Sequence, residues 1–213
     1  MYRRTFLKAG MGGVGAGLAL VGLDAYAQGG RRRHRNWMGL RPRLPRQVDA
    51  EAFADTVIAE FIDNKRSCAE SMLIAGCDLL RVRSPLLPEM TYGLAGGIGF
   101  CGYACGFVTG GAMILSMAIS AVEKERETAW PAAMTATKMY VEQFEKLPSV
   151  QKFAGGPTAD CRDICGLNLR DPAERAKLGP PTSVKGKICQ PVGREAAMLL
   201  AGCVQAIVDS YRG

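Results

Sequence analysis

Residues 96–111 have the sequence GGIGFCGYACGFVTGG, and the apolar run AMILSMAI follows directly. Glycine-rich backbone before an apolar run is typical of a loop that enters a helix at its N-terminus. A cysteine near the free N–H groups of a helix start tends toward the thiolate. Cys101 and Cys105 lie in this stretch, so we expect a sulfur site there. The alternative is a close helix–helix crossing that requires small residues.

The composition excludes several kinds of site. The chain of 213 residues has eight cysteines but a single histidine, His34, which lies in a basic run. A Ser-His-Asp triad, a Cys2His2 zinc site and a C-x-x-C-H haem attachment are therefore excluded. A metal site would consist of cysteine thiolates, with carboxylates as further ligands. We expect no haem.

The N-terminal residues predict export and a tether. Residues 1–27 combine Arg3 and Arg4 before Phe6-Leu7-Lys8, a weakly apolar stretch, and Ala25-Tyr26-Ala27, which is a twin-arginine signal peptide pattern with a cleavage site. An uncleaved anchor is the alternative. Residues 28–47 are predicted to be a basic flexible linker, as a tether or as a docking segment for an acidic partner or anionic lipid. We expect a periplasmic location.

The remaining residues, 48–213, are predicted to form one helical, cysteine-containing redox domain. Residues 47–213 have a net charge of −2, although the whole chain has +7, so a nucleic-acid-binding domain is not expected. Alanine, leucine and methionine favour helices, and we see no convincing strand. The predicted fold class is all-α, a compact bundle of about five to six helices with a glycine-rich cysteine loop.

The periodicity and the capping residues predict where these helices lie. A Ser67–Glu70 capping box begins the second helix, Thr128 is a candidate N-cap further on, and Gly166 stops a short turn. The predicted helices are 49–64, 67–81, 89–95, 105–124, 128–147, 161–165 and 189–211. A loop is predicted at 148–160, and a long loop at 170–187, in which Asp171-Pro172 opens a short helical turn.

Four cysteines share a position at or near a predicted helix start: Cys68, Cys105, Cys161 and Cys189. Helix starts that converge would favour a thiolate-bound centre, and Gly106 would let the backbone approach sulfur. Cys101 and Cys165 are possible extra ligands. Cys77 and Cys203 are predicted to be core residues. Stabilising disulfides are the structural alternative.

The same segments resemble a known family. Ser67-Cys68-Ala69-Glu70, residues 105–111 (CGFVTGG), residues 161–166 (CRDICG) and Cys189-Gln190-Pro191-Val192 are similar to the motifs of the C_GCAxxG_C_C family of redox-active proteins, over about residues 49–211. The resemblance implies a helical fold and assigns the four characteristic cysteines to Cys68, Cys105, Cys161 and Cys189. It also implies a relation to the non-haem part of split-Soret cytochromes, which hold an iron–sulfur centre. The chain departs from the pattern at Phe107 and adds Cys101 and Cys165.

From the cysteines and the resemblance together we expect an exported redox protein. It would transfer electrons through a cysteine-ligated iron–sulfur cluster, with [2Fe–2S] as the first candidate type. It would act as an accessory or small subunit of a periplasmic or membrane oxidoreductase rather than as a stand-alone enzyme. The resemblance implies an oxidoreductase of the molybdopterin type. A homo-oligomer is compatible with this. The alternatives are a metal-free dithiol/disulfide redox protein and a disulfide-stabilised, partner-binding helical domain.

Overall fold

The computed structural model describes residues 42–179 and 183–211. These residues contain no β-strand and a single isolated antiparallel bridge, between Ala104 and Asp160. Six of their α-helices have seven residues or more, so the predicted all-α bundle is confirmed. In chain order the elements are α1 (Ala50–Ile62), α2 (Cys68–Leu79), a 3₁₀ helix (Glu89–Leu94), α3 (Gly106–Val122), α4 (Arg126–Phe144), α5 (Pro148–Ala154), α6 (Cys161–Cys165), α7 (Pro172–Ala176), a π-helical turn (Lys185–Cys189) and α8 (Gln190–Ser210).

The predicted N-terminal segments lie largely outside this description. The signal peptide at residues 1–27 and the linker up to residue 41 are not among the described residues. Both stay predictions.

The helix starts follow the capping residues of the sequence. Asp49 accepts a hydrogen bond from the Ala52 N–H at 3.0 Å and begins α1. Ser67 begins α2 with a complete capping box, since Ser67 Oγ accepts from the Glu70 N–H at 3.3 Å and Glu70 accepts from the Ser67 N–H at 2.8 Å. These reciprocal bonds satisfy helix-start donors that would otherwise have no partner. They also hold Cys68 at the first position of α2.

Helix α8 lies at the centre of the bundle and contacts α1, α3, α4 and α5. The Tyr140 ring of α4 is fully buried, and its hydroxyl donates to the Phe107 carbonyl at 3.2 Å, with the Ala196 carbonyl at 3.4 Å as a second acceptor. The Phe107 ring packs edge-on against Phe61 of α1, with ring centroids 5.2 Å apart. Phe107, the residue after Cys105–Gly106, is therefore held in the core by contacts with α1 and α4.

The helical run that includes α8 is long and apolar. By length and composition alone, Lys185–Ser210 could cross a membrane, but 50% of its most apolar window is buried inside the fold. A core helix of a globular protein has the same properties, and the contacts of α8 assign it to that role.

Glycines bring α2 and α3 into close contact. A Cβ atom on Gly110 would lie 2.9 Å from Met72 Cβ and 3.1 Å from the Ala69 carbonyl oxygen. A Cβ on Gly106 would come still closer to α2. The close helix crossing that we considered as the alternative use of these glycines is therefore present, at the same place as the cysteine pair described below.

Two predicted boundaries were wrong. Helix α4 begins at Arg126 after Glu125, so Thr128 is inside the helix and its hydroxyl donates to Glu123 at 2.6 Å. Residues 148–154, which we predicted to be loop, form α5. Pro148 is its first residue, where a missing N–H costs nothing, and Gly155 ends it with a left-handed φ of +75°.

Candidate redox centre

Backbone pairing joins the glycine loop to the segment before α6. The Cys105 N–H donates to the Ala159 carbonyl at 2.8 Å, and the Cys161 N–H donates to the Tyr103 carbonyl at 2.7 Å. The isolated bridge between Ala104 and Asp160 lies between these two bonds. Because main-chain hydrogen bonds hold the two segments together, Cys161, the first residue of α6, lies next to Cys105, the residue before α3.

The glycine loop reaches this position through a left-handed turn. Residues 96–100 have consecutive positive φ angles between +58° and +70°. Three of these five residues are glycines, for which such angles cost little, but Ile98 and Phe100 are not. At Gly97 even the smallest side chain is excluded, because a Cβ would lie 2.4 Å from the Tyr103 carbonyl oxygen.

Cys68 and Cys105 form a thiol pair at the starts of α2 and α3. The Cys105 thiol donates a hydrogen bond to the Cys68 sulfur, which also receives the Ala69 and Gly106 N–H groups. These bonds outweigh burial and lower the pKa of Cys68 to about 7. The pKa of Cys105 is raised, first by its bond to Cys68 and then by burial. In this pair Cys68 is therefore the thiol that ionises first, and Cys105 keeps its proton.

Gly106 is the residue that permits this pair. A Cβ atom at this position would lie 2.3 Å from Cys68 Sγ and 2.8 Å from the Ala69 nitrogen. Any side chain here would fill the space that the Cys68 sulfur occupies. The backbone N–H groups reach sulfur only because the position is glycine.

Cys161 and Cys165 form a second pair, on the short helix α6. The Cys161 thiol donates to the Cys165 sulfur, which raises the pKa of Cys161 and lowers that of Cys165. Both residues are buried, at 8% and 4% exposure. Gly166 ends α6 in the left-handed conformation, with φ +66°, as the sequence predicted.

Cys189 lies beside the first pair but has a different local environment. It is partly buried at the end of the π-helical turn, and burial raises its pKa to about 12, followed by the charge of Cys68. Helix α8 begins at Gln190 directly after Cys189, as predicted, but the π-helical turn before it was not predicted. The π-helical turn Lys185–Cys189 precedes α8 without a break, so the backbone N–H groups at Cys189 lie within continuous helix.

Electrostatic interactions link the five thiols. The charges of Cys105, Cys68 and Cys165 raise the pKa of Cys161, and the charge of Cys189 raises that of Cys105. The charges of Cys68 and Cys165 in turn raise the pKa of Cys189. Four distant segments therefore meet at one centre. We call the set of Cys68, Cys105, Cys161, Cys165 and Cys189 the thiol centre. In the described ranges, however, no group of three or more His, Cys, Asp or Glu side chains is arranged to hold a metal ion.

The remaining cysteines lie elsewhere. The Cys101 thiol donates to the Gly99 carbonyl at 3.9 Å, so its hydrogen bond stays within its own loop. Cys77 is buried in the core at 3% exposure, as predicted, and Cys203 is partly buried at the edge of the core. All eight cysteines are free thiols in the structure.

Sequence reasoning missed one residue of this site. Lys185 begins the π-helical turn, and its charge lowers the pKa of Cys189, while the charges of Cys68 and Cys189 raise the pKa of Lys185. We had assigned it to a loop at 170–187. The position of Lys185, four residues before Cys189, was the available signal. Only the fold brings its side chain to Arg66, two residues before Cys68.

A comparison with protein families gives a match at this site. The family described as "Putative redox-active protein (C_GCAxxG_C_C)" matches residues 66–203, more than half of the chain. The chain belongs to this family. The match begins two residues before Cys68 and includes every cysteine of the thiol centre. No curated protein and no solved structure matches the chain.

Proposed function

We propose that this family member is an exported electron-transfer protein in which Cys68, Cys105, Cys161 and Cys189 bind an iron–sulfur cluster. The observation that supports this is the convergence of thiols from four separate segments at one largely buried place. A structural role alone would not favour several free, mutually interacting thiols in a fold that already has a continuous apolar core.

The donor chemistry of the thiol centre fits such a cluster. Iron–sulfur clusters are held by cysteine thiolates, and all five groups of the centre are thiols. The cradle at Gly106, which any Cβ would fill, directs backbone N–H groups at Cys68 sulfur. In the described residues, no three side chains are arranged to hold a metal ion. The thiol side chains would therefore have to rotate before a cluster could bind.

The chain's own residues would do three things in this function. The starts of α2 and α3 offset thiolate charge with the Ala69, Gly106 and Phe107 N–H groups. Burial excludes water and, with the N–H bonds, tunes the potential. When bound, the cluster would supply one-electron transfer. Cys165 is a further thiol that could replace Cys161 as a ligand, because the two are hydrogen-bonded.

The partner and the location are part of the same proposal. The twin-arginine pattern at Arg3 and Arg4 supports export to the periplasm. An electron-transfer protein exchanges electrons with another protein, and we propose a periplasmic or membrane oxidoreductase subunit as that partner. Replacing Arg3 and Arg4 by lysine should then abolish export of the full-length precursor, which cell fractionation measures. Unchanged export would contradict this route.

A second candidate function is favoured by the direct contact of Cys68 and Cys105. In this metal-free reaction the Cys68 thiolate attacks a disulfide of a partner protein, and one partner sulfur leaves and is protonated. Cys105 loses its proton and attacks Cys68 sulfur, which releases the second partner thiol. The partner disulfide is reduced, and Cys68 and Cys105 are oxidised to a disulfide.

One experiment separates these functions. Protein purified without oxygen is analysed for visible absorption, iron and sulfide, together with serine variants of Cys68, Cys105, Cys161 and Cys189. The cluster function predicts a brown protein and loss of iron in the variants of Cys68, Cys105 and Cys189. At Cys161 it predicts loss of iron once Cys165, which could replace it, is also changed to serine. Cys77→Ser and Cys101→Ser are controls that keep their iron. A colourless protein with a reversible Cys68–Cys105 disulfide supports the dithiol function. Stable, non-exchanging disulfides would reject both and favour a disulfide-stabilised partner-binding domain.

A further inference from the structure

Lys185 reaches across the thiol centre from one segment to another. Its ammonium group donates to the Arg66 carbonyl at 3.0 Å and lies 4.3 Å from the centroid of the Phe61 ring. Arg66 is two residues before Cys68, and Cys189 is one π-helical turn after Lys185. The side chain therefore begins in the segment of Cys189 and ends at Arg66, two residues before Cys68, at the entry of α2.

The environment of Lys185 is unusual for a lysine. Most lysines keep their ammonium group in water, but this one is partly buried and lies over an aromatic ring. Burial lowers its pKa, and the charges of Cys68, Cys189 and Glu70 oppose that shift. The carbonyl bond and the cation–π contact are both interactions of a charged ammonium group.

The local backbone is also unusual. Lys185–Cys189 is a π-helical turn, a rare form that occurs often at functional sites. Lys187, in the same turn, is exposed. One lysine of the turn thus faces the thiols and the other faces solvent, which provides a matched pair for an experiment.

We propose that the positive charge of Lys185 sets the reduction potential of the thiol centre. Reduction adds an electron from the redox partner, or leaves thiolate in place of disulfide, and either change makes the centre more negative. A cation held at the Arg66 carbonyl, two residues before Cys68, stabilises that state and raises the potential. The inference rests on the proposed redox function, but it holds for both the cluster and the dithiol form.

The test compares Lys185→Met, Lys185→Arg and Lys187→Met with the wild-type chain. The potential of iron-loaded protein is measured by spectroelectrochemistry, and that of metal-free protein by equilibration with glutathione buffers and mass spectrometry. Lys185→Met should make reduction about tenfold less favourable, which is about 59 mV for one electron or about 30 mV for two. Lys185→Arg, which keeps the charge, should stay within about threefold, and Lys187→Met should not differ from wild type.

The outcomes distinguish the two claims. If wild-type protein titrates but Lys185→Met and Lys187→Met have the same potential, Lys185 has no electrostatic role and the inference is wrong. A lower melting temperature of Lys185→Met without a change in potential would mean a purely structural contact, and Arg would then rescue stability alone. If the wild-type protein shows no reversible transition in either form, the proposed redox function fails, and the inference fails with it.

Discussion

Replacing Gly106 by alanine tests the geometry of the thiol pair directly. The added Cβ would lie 2.3 Å from Cys68 Sγ and 2.8 Å from the Ala69 nitrogen, whereas ordinary contacts are 3.4–4 Å. Rotation of the Cys68 side chain could relieve the contact with its sulfur, but the Ala69 backbone nitrogen cannot move away in this manner. Helices α2 and α3 must therefore separate by about 1 Å at their starts. Overpacking of this kind costs about 1–3 kcal/mol of unfolding free energy.

The matched control is Gly202→Ala on α8, where a Cβ meets nothing within 4 Å and the residue is exposed. This change should stabilise the protein by about 0.5–1 kcal/mol through helix propensity. Urea unfolding of both variants measures the two free energies, and alkylation of Cys68 followed by mass spectrometry reports the pair. Equal stabilities of the two variants, with unchanged alkylation of Cys68, would refute the close approach of α3 to this sulfur.

Three further predictions concern single side chains. Cys77→Ala should lower the unfolding free energy by about 1–2 kcal/mol, because it leaves a small cavity in the core. Cys203→Ala should lower it by less, because Cys203 is only partly buried, and neither variant should change the spectra of the thiol centre. A larger loss of stability at Cys203 than at Cys77 would contradict this packing. Tyr140→Phe should cost about 1 kcal/mol in thermal unfolding, since the buried Phe107 carbonyl loses its hydroxyl donor, and an unchanged stability would count against that bond. In reduced, metal-free protein, the alkylation rate of Cys68 should rise with pH and be half-maximal near pH 7, because the thiolate forms above its lowered pKa; a midpoint near that of a free cysteine, about 8.5, would argue against the stabilised thiolate.

Local signals in the sequence predicted much of the helical framework. The Ser67–Glu70 capping box, the stop at Gly166 and the entry of α3 after Cys105 depend on neighbours within one helical turn, so they are visible without the fold. The same holds for α5, whose Pro148 start and Gly155 end were present in the sequence but were not used. The error there was one of interpretation.

The site was less accessible because its contacts are non-local. Nothing near Cys189 in the sequence indicates a π-helical turn, which depends on the packing of residues 185–189 against other segments. The choice of Cys165 over Cys101 as a neighbour of the other thiols depends on how α6 pairs with the glycine loop. Both thiols have the same spacing from a candidate ligand, and only the backbone pairing distinguishes them.

The distribution of the thiols along the chain has a consequence for the order of biosynthetic events. An unfolded chain with eight cysteines can pair them in about a hundred ways, and nothing local would select among these. The folded chain holds Cys68 against Cys105 and Cys161 against Cys165, while Cys77 is enclosed by core side chains. In an oxidising compartment the unfolded chain would therefore form mixed disulfide pairings, whereas the folded chain would present a defined set of thiols. A protein built in this way benefits from completing its fold before it encounters oxidants.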